Sequence, residues 1–243
     1  METVRLLPLE DADGPYNMAA DEVMLQSAIA GQASLRFYTW TQPTLSLGYF
    51  QPAAARRTDP LLASLPFVRR PTGGHDLVHQ HEVTYALALP PGTPWHAGES
   101  WLLRMHRILA DAFRGLGVAL TLVEVESATR DLATVLCFRQ FTPGDLLCRG
   151  AKVVGSAQRK HRQCLLQHGG ILLARSPHTP SLPGIREQTG RELLPMEVRE
   201  AVTSTFVQDT GRLVEGVWST EERDAIALLA RQKYSTEEWN EKR

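Results

Sequence analysis

The sequence predicts an α/β protein of the α+β kind, in which a mixed sheet has helices packed against it. Short runs that alternate between apolar and polar residues, as strands do, crowd into the first 90 residues. Runs with helical spacing stand between and after them and do not alternate strictly with the strands. The length of 243 residues, 43% of them hydrophobic and 22% charged, suits one large core. We therefore expect a single domain over residues 1–243.

The first part of the chain is expected to supply one helix and most of the strands. Asp13-Gly14-Pro15 is a turn that delivers a proline to a helix start, and the helix covers residues 16–30 before Gly31 ends it. The strand-like runs that surround this helix are β-prone or alternating. They cover residues 3–7, 34–40, 44–49, 68–70 and 82–89.

The second part begins with the clearest helix of the sequence. Ser100 stands at its head, apolar residues repeat at three and four positions, and Gly117 closes it. Two strands at 118–125 and 145–149 and a hairpin from 152–158 and 165–173 are expected next. Two C-terminal helices, at about 195–208 and 220–232, are expected to pack on the domain. The second opens with a capping-box pattern at residues 219–222.

Charge and cysteine usage exclude several classes of function. Twenty-six Lys and Arg nearly cancel 27 Asp and Glu, so no global field attracts nucleic acid or an anionic membrane. No apolar run approaches the roughly 20 residues of a membrane span, and the acidic start lacks the layout of a signal peptide. Three cysteines fit free thiols in a reducing compartment better than a disulfide framework. We therefore expect a cytoplasmic protein.

The densest segment of polar residues and glycine covers residues 69–82. Two adjacent glycines let the backbone approach a ligand closely, so the segment is a candidate binding loop; an ordinary hairpin turn between its flanking strands is the alternative. The histidines His75, His79 and His81 do not suffice for a metal site, because no HExxH motif and no nearby cysteine accompany them. Neither GxxxxGK[ST] nor GxGxxG is present, so no nucleotide loop is indicated.

A second candidate site combines a lysine with the three thiols. Lys152 stands between apolar residues on a predicted strand, where it is either solvated or a cation in a partly dry pocket. Such a cation could hold an acyl carbonyl oxygen or lower the pKa of a thiol. Cys137 is expected at the end of an element, facing a cleft, whereas Cys148 and Cys164 lie in strand-like runs and are interpreted as structural. A catalytic cysteine needs a nearby cation, for which Lys152 and the histidines are the candidates.

Six short segments occur in the order of a known protein family. They are residues 17–22 (NMAADE), 43–51 (PTLSLGYFQ), 69–74 (RRPTGG), 81–85 (HEVTY), 155–158 (GSAQ) and 167–169 (QHG). Together they resemble the lipoate/octanoate transferase family of the biotin/lipoate protein ligase superfamily over roughly residues 15–175. Within that family the chain is most similar to the LipM-type octanoyltransferases.

The resemblance implies a fold and a set of site residues. The fold is a biotin/lipoate ligase-like catalytic domain with a mixed, largely antiparallel sheet flanked by helices. In the family a cysteine forms an acyl-thioester and a lysine lowers its pKa, and the matching positions are Cys137 and Lys152. The acyl chain lies in a tunnel lined by the RRxxGG and GSAQ segments. The substrate-binding residues implied are Arg69, Arg70, Thr72, Gly73, Gly74, His75, His79, Gly155, Ser156, Ala157, His168 and Gly169.

Two segments depart from the family pattern. His75-Asp76 follows the glycine pair where relatives usually carry a small or basic residue and then alanine. Residues 141–145 (FTPGD) replace a more usual Pro-Ser-x-Tyr-Glu. These changes bear on acyl-chain selectivity and on the surroundings of Cys137.

The resemblance implies an enzyme that moves an octanoyl group from octanoyl-acyl carrier protein to a lysine of a lipoyl-accepting protein. The acceptor is the glycine-cleavage H protein or an E2 lipoyl domain. Since the donor is already a thioester, transfer to a cysteine costs little free energy and amide formation is downhill, so no cofactor is expected.

Two other functions remain open. An ATP-dependent lipoate-protein ligase starts from the free acid and makes an acyl-adenylate with ATP and Mg²⁺. Such ligases often carry an extra C-terminal domain, for which too few residues follow residue 175. A non-catalytic module that binds lipoyl domains or acyl carrier protein is the second alternative, but Cys137 and Lys152 have no purpose in it.

A basic stretch at residues 159–162 is predicted at the tip of the second hairpin. Acyl carrier proteins are acidic, so this cluster, together with Arg56 and Arg57, is a candidate for steering them electrostatically. A solvated hairpin end is the alternative.

Overall fold

The structure, a computed structural model, describes residues 3–92, 98–124 and 141–242. Within these ranges a mixed sheet is flanked by helices, which confirms the predicted fold class. Its strands are β1 (Val4–Leu6), β2 (Glu10–Ala12), β3 (Ala33–Trp40), β7 (Glu82–Leu89), β8 (Thr121–Leu122), β9 (Leu146–Cys148), β10 (Ala151–His161), β11 (Cys164–Leu172) and β12 (Leu213–Glu215). A three-stranded sheet comprises β4 (Thr44–Leu47), β5 (Phe67–Arg69) and β6 (Leu77–His79).

The main sheet is largely antiparallel. Its order is β12-β1-β3-β7-β11-β10-β9-β8, with β2 beside β3. The pairs of the centre, from β3 through β7 and β11 to β10 and β9, are antiparallel, whereas β1 runs parallel to both β3 and β12. The glycine-containing stretches of β10 and β11 lie side by side, because Gly155 pairs with Gly170 and Ser156 with Gly169.

Helices cover both faces of this sheet. They are α1 (Gly14–Ile29), α2 (Pro60–Ala63), α3 (Trp101–Gly115), α4 (Ile185–Thr189), α5 (Pro195–Thr210), α6 (Thr220–Leu229) and α7 (Glu237–Asn240), with a 3₁₀ turn at Ala53–Thr58 and a π turn at Ala230–Tyr234. The Asp13 carboxylate accepts a hydrogen bond from the Tyr16 amide at 2.9 Å and caps α1, which begins at Gly14, two residues before the predicted start. No helix in the described ranges is long and apolar enough to cross a membrane.

Alternate side chains of the central strands enter two different cores. Phe37 and Tyr85 pack with α3 and α5, whereas Tyr38 and Ala86 pack with α1 and α6. Because side chains alternate along a strand, helices on both faces bury all of β7. The two predicted C-terminal helices thus lie on opposite faces, α5 against α3 and α6 against α1.

The hairpin alternative for residues 69–82 is wrong. β5 pairs in parallel with β4, β7 pairs with β3 and β11, and the unpredicted strand β6 lies between them in the chain. The segment therefore crosses from the small sheet to the main sheet.

Of the predicted strand at 118–125, only Thr121–Leu122 is a strand in the described part. The strands β2 and β12 and the helices α2, α4 and α7 were not predicted either, because each is too short to show a period.

Candidate active site

A cleft lies between the glycine-rich loop after β5 and the β10–β11 hairpin, and its empty space of about 460 Å³ includes the part that opens to solvent. Both segments that the family resemblance implied supply its walls. Nine predicted substrate-binding residues line it: Arg70, Gly74, His75, His79, Gly155, Ser156, Ala157, His168 and Gly169. Gly74 and His75 are exposed, so they lie at its opening, whereas His79 and His168 are buried and lie further in. Met18 and Leu77 add apolar surface.

Arg70 fastens the glycine-rich loop over the cleft. Its guanidinium donates to the carbonyls of Gly73 and His75 at 3.0 and 2.8 Å and to the Ser46 hydroxyl at 2.7 Å. The loop lies so close to Gly48 that a Cβ at that position would overlap the Gly74 carbonyl. Arg70 therefore holds the loop shape that the two glycines permit, while its side chain also faces the cleft.

Three predicted substrate-binding residues do not line the cleft: Arg69, Thr72 and Gly73. Arg69 is fully buried and donates to the carbonyls of Gly48, Gln51 and Asn240, which ties α7 to the small sheet. Its backbone amide also donates to the Asn240 side chain at 2.8 Å. The neighbouring arginines of the motif thus point to different places, as successive residues of an extended chain do.

His168 connects the cleft to a buried charge cluster on α1. Its Nδ1 lies 2.7 Å from the Asp21 carboxylate and its Nε2 lies 2.6 Å from the Thr72 hydroxyl, so Thr72 reaches the cleft wall through this ring. Arg36 pairs with Asp21 at 3.2 Å, and the Tyr38 hydroxyl donates to the Asp21 carboxylate at 3.0 Å. Burial and the Asp21 charge raise the pKa of Tyr38 well above its ordinary value, so Tyr38 remains a donor.

His79 is held on three sides. Its Nδ1 lies 2.6 Å from the Glu82 carboxylate, its Nε2 lies 2.6 Å from the Ser46 hydroxyl, and its ring stacks on Trp40. Burial lowers the pKa of His79 despite the opposing effect of Glu82. The lowered pKa favours a neutral ring that donates to Glu82.

Within the described ranges, no three His, Cys, Asp or Glu side chains are grouped as a metal ion requires.

Lys152 is almost fully buried and carries its own counter-ion. Its Nζ lies 2.7 Å from the Asp145 carboxylate, and the amide and hydroxyl of Thr142 donate to the same carboxylate at 2.7 and 3.1 Å. Asp145 belongs to the segment that departs from the family pattern, and sequence reasoning missed it. The available signal was an acidic residue immediately before β9, the strand that pairs with β10 beside Lys152.

The cysteines fall into two groups. Cys148 and Cys164 are buried in the two main cores, as expected of structural residues. Burial raises the pKa of both thiols, so neither is a thiolate at neutral pH. Cys137, the predicted nucleophile, lies outside the described residues, and its role stays a prediction.

His106 is a second site residue that sequence reasoning missed. It lies on the apolar face of α3, where its spacing resembles that of a core residue, yet its Nε2 is 2.6 Å from the hydroxyl of Ser156. Ser156 lines the cleft, so α3 reaches the site through this histidine. The spacing of apolar residues shows which face of the helix is buried. It does not show whether a buried histidine on that face has a polar partner from another element.

Comparison with known proteins gives consistent matches in sequence and structure. The profile of the family described as lipoyl protein ligase A/B catalytic domain matches residues 13–206. Octanoyltransferase LipM of Carboxydothermus hydrogenoformans is 33% identical over 98% of both chains. Octanoyltransferase LipM of Bacillus subtilis is 32% identical over 100% of this chain and 99% of its own.

The solved structures that resemble this fold are more distant in sequence. Lipoate-protein ligase A bound with ATP superposes with a TM-score of 0.77 at 22% identity, over 99% of each chain. The bipartite lipoate protein ligase of Thermoplasma acidophilum gives a TM-score of 0.72 at 19% identity, over 99% of this chain and 96% of its own. The biotin/lipoate ligase-like fold is thereby confirmed.

Proposed function

The chain belongs to the lipoyl protein ligase A/B catalytic-domain family, and on that premise we propose that it is an octanoyltransferase of protein lipoylation. The observation that carries this proposal is the full-length similarity to relatives named octanoyltransferase LipM, at 32–33% identity. A cleft with apolar wall residues and glycine-lined strands is suited to an acyl chain.

The proposed reaction has two transfers. The Cys137 thiolate attacks the carbonyl carbon of the octanoyl thioester on an acyl carrier protein, the bond from that carbon to the carrier's sulfur breaks, and the carrier leaves as a thiolate that takes up the proton Cys137 released on ionising. The amine of an acceptor lysine then attacks the thioester on Cys137, loses a proton as the amide forms, and releases the thiol. No nucleotide takes part in either step.

Lys152 is proposed to support the first transfer. An ammonium group near a thiol favours its ionised form, and a cation beside the carbonyl stabilises the oxyanion of the tetrahedral intermediate. The Asp145 carboxylate fixes this ammonium in a site with little access to water, where charge effects are stronger than in solution. Acceptor proteins of the lipoyl type, the glycine-cleavage H protein or an E2 lipoyl domain, are the proposed partners of the second transfer.

Intact-protein mass spectrometry tests the proposal directly. The protein is mixed with octanoyl-acyl carrier protein without ATP, and an octanoyl adduct that hydroxylamine removes is expected. Cys137→Ala should abolish the adduct, whereas Cys148→Ala and Cys164→Ala should keep it, because both thiols are buried in the cores. An ATP-dependent ligase makes an acyl-adenylate, which is not attached to the protein, so octanoylation of an added lipoyl domain that requires ATP and free octanoate, without an adduct on Cys137, would assign the chain to the ligases. No adduct on the protein and no octanoylation of the lipoyl domain under either condition would favour a binding module.

The second prediction concerns the tip of the β10–β11 hairpin as a docking site for the acyl carrier protein that donates the octanoyl group. Arg56 and Arg57 pair with Glu241, and Arg159 donates to the Pro71 carbonyl at 2.9 Å, so these three arginines have partners within the fold. The exposed cations of the tip are Lys160 and Arg162. We expect Lys160→Glu with Arg162→Glu to raise the KM for octanoyl-carrier protein about tenfold at low salt and to weaken its salt dependence.

Charge reversal elsewhere provides the control for this prediction. Arg114 is exposed on α3 and pairs only at the surface with Asp111, so Arg114→Glu should leave the KM within twofold. If the tip variant behaves like the Arg114 variant, the carrier protein docks elsewhere and the tip is an ordinary solvated turn.

A further inference from the structure

A chain of hydrogen bonds runs through the molecule from the end of the GSAQ segment to the wall of the cleft. The Gln158 amide donates to the Gln167 side-chain oxygen at 2.6 Å, and the Gln167 amide donates to the Tyr85 hydroxyl at 2.6 Å. The Tyr85 hydroxyl lies 2.6 Å from the Ser156 hydroxyl. These four side chains come from the adjacent strands β7, β11 and β10.

The chain continues from Ser156 onto α3 and ends on a backbone carbonyl. The Ser156 hydroxyl lies 2.6 Å from Nε2 of His106, and Nδ1 of His106 is hydrogen-bonded to the Gly144 carbonyl. Gly144 immediately precedes Asp145, whose carboxylate holds Lys152. A continuous polar path therefore joins the cleft, which Ser156 lines, to the buried ion pair.

Chemistry fixes the direction of every bond on this path. A carbonyl oxygen only accepts, so Nδ1 of His106 carries the proton and donates to Gly144. In a neutral ring Nε2 is then an acceptor, and it accepts from the Ser156 hydroxyl. Ser156 in turn accepts from Tyr85, and Tyr85 accepts from Gln167. Burial lowers the pKa of His106, which favours the neutral ring that this pattern requires.

The turn that carries Asp145 depends on α3 for its position. Gly144 has a φ of +97°, in the region that favours glycine, and a Cβ there would overlap the Leu102 side chain of α3. Its amide donates to Val123 at 2.8 Å, and its carbonyl is held by His106. Loss of the His106 bond would leave a buried carbonyl without that donor and free the turn to move.

We propose that His106, as the Nδ1–H tautomer, is a positioning residue that holds the Gly144–Asp145 turn against α3 and so keeps the Asp145 carboxylate on the Lys152 ammonium. The inference rests on the proposed function only for the consequence that transfer depends on this pair. The hold of His106 on the Gly144–Asp145 turn does not depend on the reaction and is measured separately.

Two near-isosteric variants separate the bonds of His106. The side-chain amide of asparagine can occupy the place of Nδ1 and donate to Gly144, so His106→Asn keeps that bond and loses the one to Ser156. Glutamine reaches the place of Nε2, so His106→Gln keeps the Ser156 bond and loses the one to Gly144. A merely space-filling role of His106 predicts the same behaviour for both variants.

The protection of Lys152 is the readout. The protein is treated with an amine-acylating reagent and the modified lysines are counted by peptide mass spectrometry, with exposed Lys160 as the internal reference. We expect His106→Gln to raise the labelling rate of Lys152 about tenfold and His106→Asn to change it less than twofold, because local opening scales with the lost bond. Equal rates in the two variants, or no rise in either, would overturn the inference.

A measurement on the unaltered protein keeps the inference testable if His106→Gln does not fold. The ¹⁵N shifts of the His106 ring report its tautomer, and Nδ1–H at pH 7 is expected; an Nε2–H ring or an imidazolium would refute the assignment. Octanoyl transfer is assayed on the same variants, with kcat expected to fall in His106→Gln and KM to hold. If Lys152 becomes exposed and kcat does not fall, the positioning stands and the proposed part of Lys152 in the reaction fails.

Discussion

Lys152→Ala is expected to slow the acylation of Cys137 on the order of 10²–10³-fold at pH 7. A thiol at its reference pKa of about 8.5 is only a few per cent ionised at pH 7, so loss of the cation lowers the acylation rate roughly 30-fold. Weaker stabilisation of the oxyanion accounts for the remaining decrease in rate. As the pH rises towards 9 the thiol ionises without help, so the variant should regain the first part of the loss but not the second. Rapid-quench mass spectrometry of the octanoyl adduct between pH 6.5 and 9 measures both.

Folding of this variant has to be checked in parallel. Removing one partner of a buried pair costs about 3 kcal/mol, but Thr142 continues to donate to the Asp145 carboxylate, so a folded chain is expected. Arg114→Ala, which removes an exposed cation of α3, is the control and should acylate at the normal rate. A Lys152 variant that is as fast as the control at pH 7 would remove the lysine from the proposed mechanism.

Asp21→Asn is expected to lower the free energy of unfolding by about 3–5 kcal/mol, the largest change in stability that we predict for a single polar substitution. The Arg36 guanidinium is fully buried, and the substitution leaves it without its carboxylate. The amide also gives the His168 ring and the Tyr38 hydroxyl a poorer acceptor than a carboxylate. Urea denaturation followed by circular dichroism measures the loss.

An exposed aspartate provides the control for this substitution. Asp11 lies on β2 and accepts from the Thr39 hydroxyl at the surface, so Asp11→Asn should change the free energy of unfolding by less than about 0.5 kcal/mol. The double variant Asp21→Asn with Arg36→Met should lose less free energy of unfolding than the two single variants together, since Arg36→Met removes the charge that Asp21→Asn leaves unpaired. A loss below about 1 kcal/mol for Asp21→Asn would mean that water or a rearranged partner compensates Arg36.

Much of the local structure could be predicted from the chain alone. The capped starts of α3 at Ser100 and α6 at Ser219 lie where residue order indicated them, and α1 begins two residues before its predicted start, because a cap joins atoms only three residues apart. The long strands β3 and β7 were found for a similar reason, since their patterns are long enough to show a period. The family resemblance added nine residues that line one cleft.

The partners of these elements lay beyond local reasoning. Residues 69–82 have the composition of a hairpin turn, yet β5, β6 and β7 pair with strands that composition does not indicate. Arg69 shares a motif with Arg70 but faces α7, because the direction of a side chain depends on the strand that carries it. Pairing is a long-range choice, decided by how much apolar surface the whole sheet buries.

The sequence by itself determined the family, the fold class and nine of the residues that line the cleft, since each can be recognised from short segments or local periodicity. The predicted nucleophile Cys137 rests on the sequence alone, because it lies outside the described residues. Only the tertiary structure supplied Asp145 as the counter-ion of Lys152 and His106 as the link between Ser156 and Gly144. His106 lies 50 residues from Ser156 and 38 from Gly144 along the chain. A bond across such a separation forms only where folding has already brought two buried polar groups together, and a buried polar group must then find a partner.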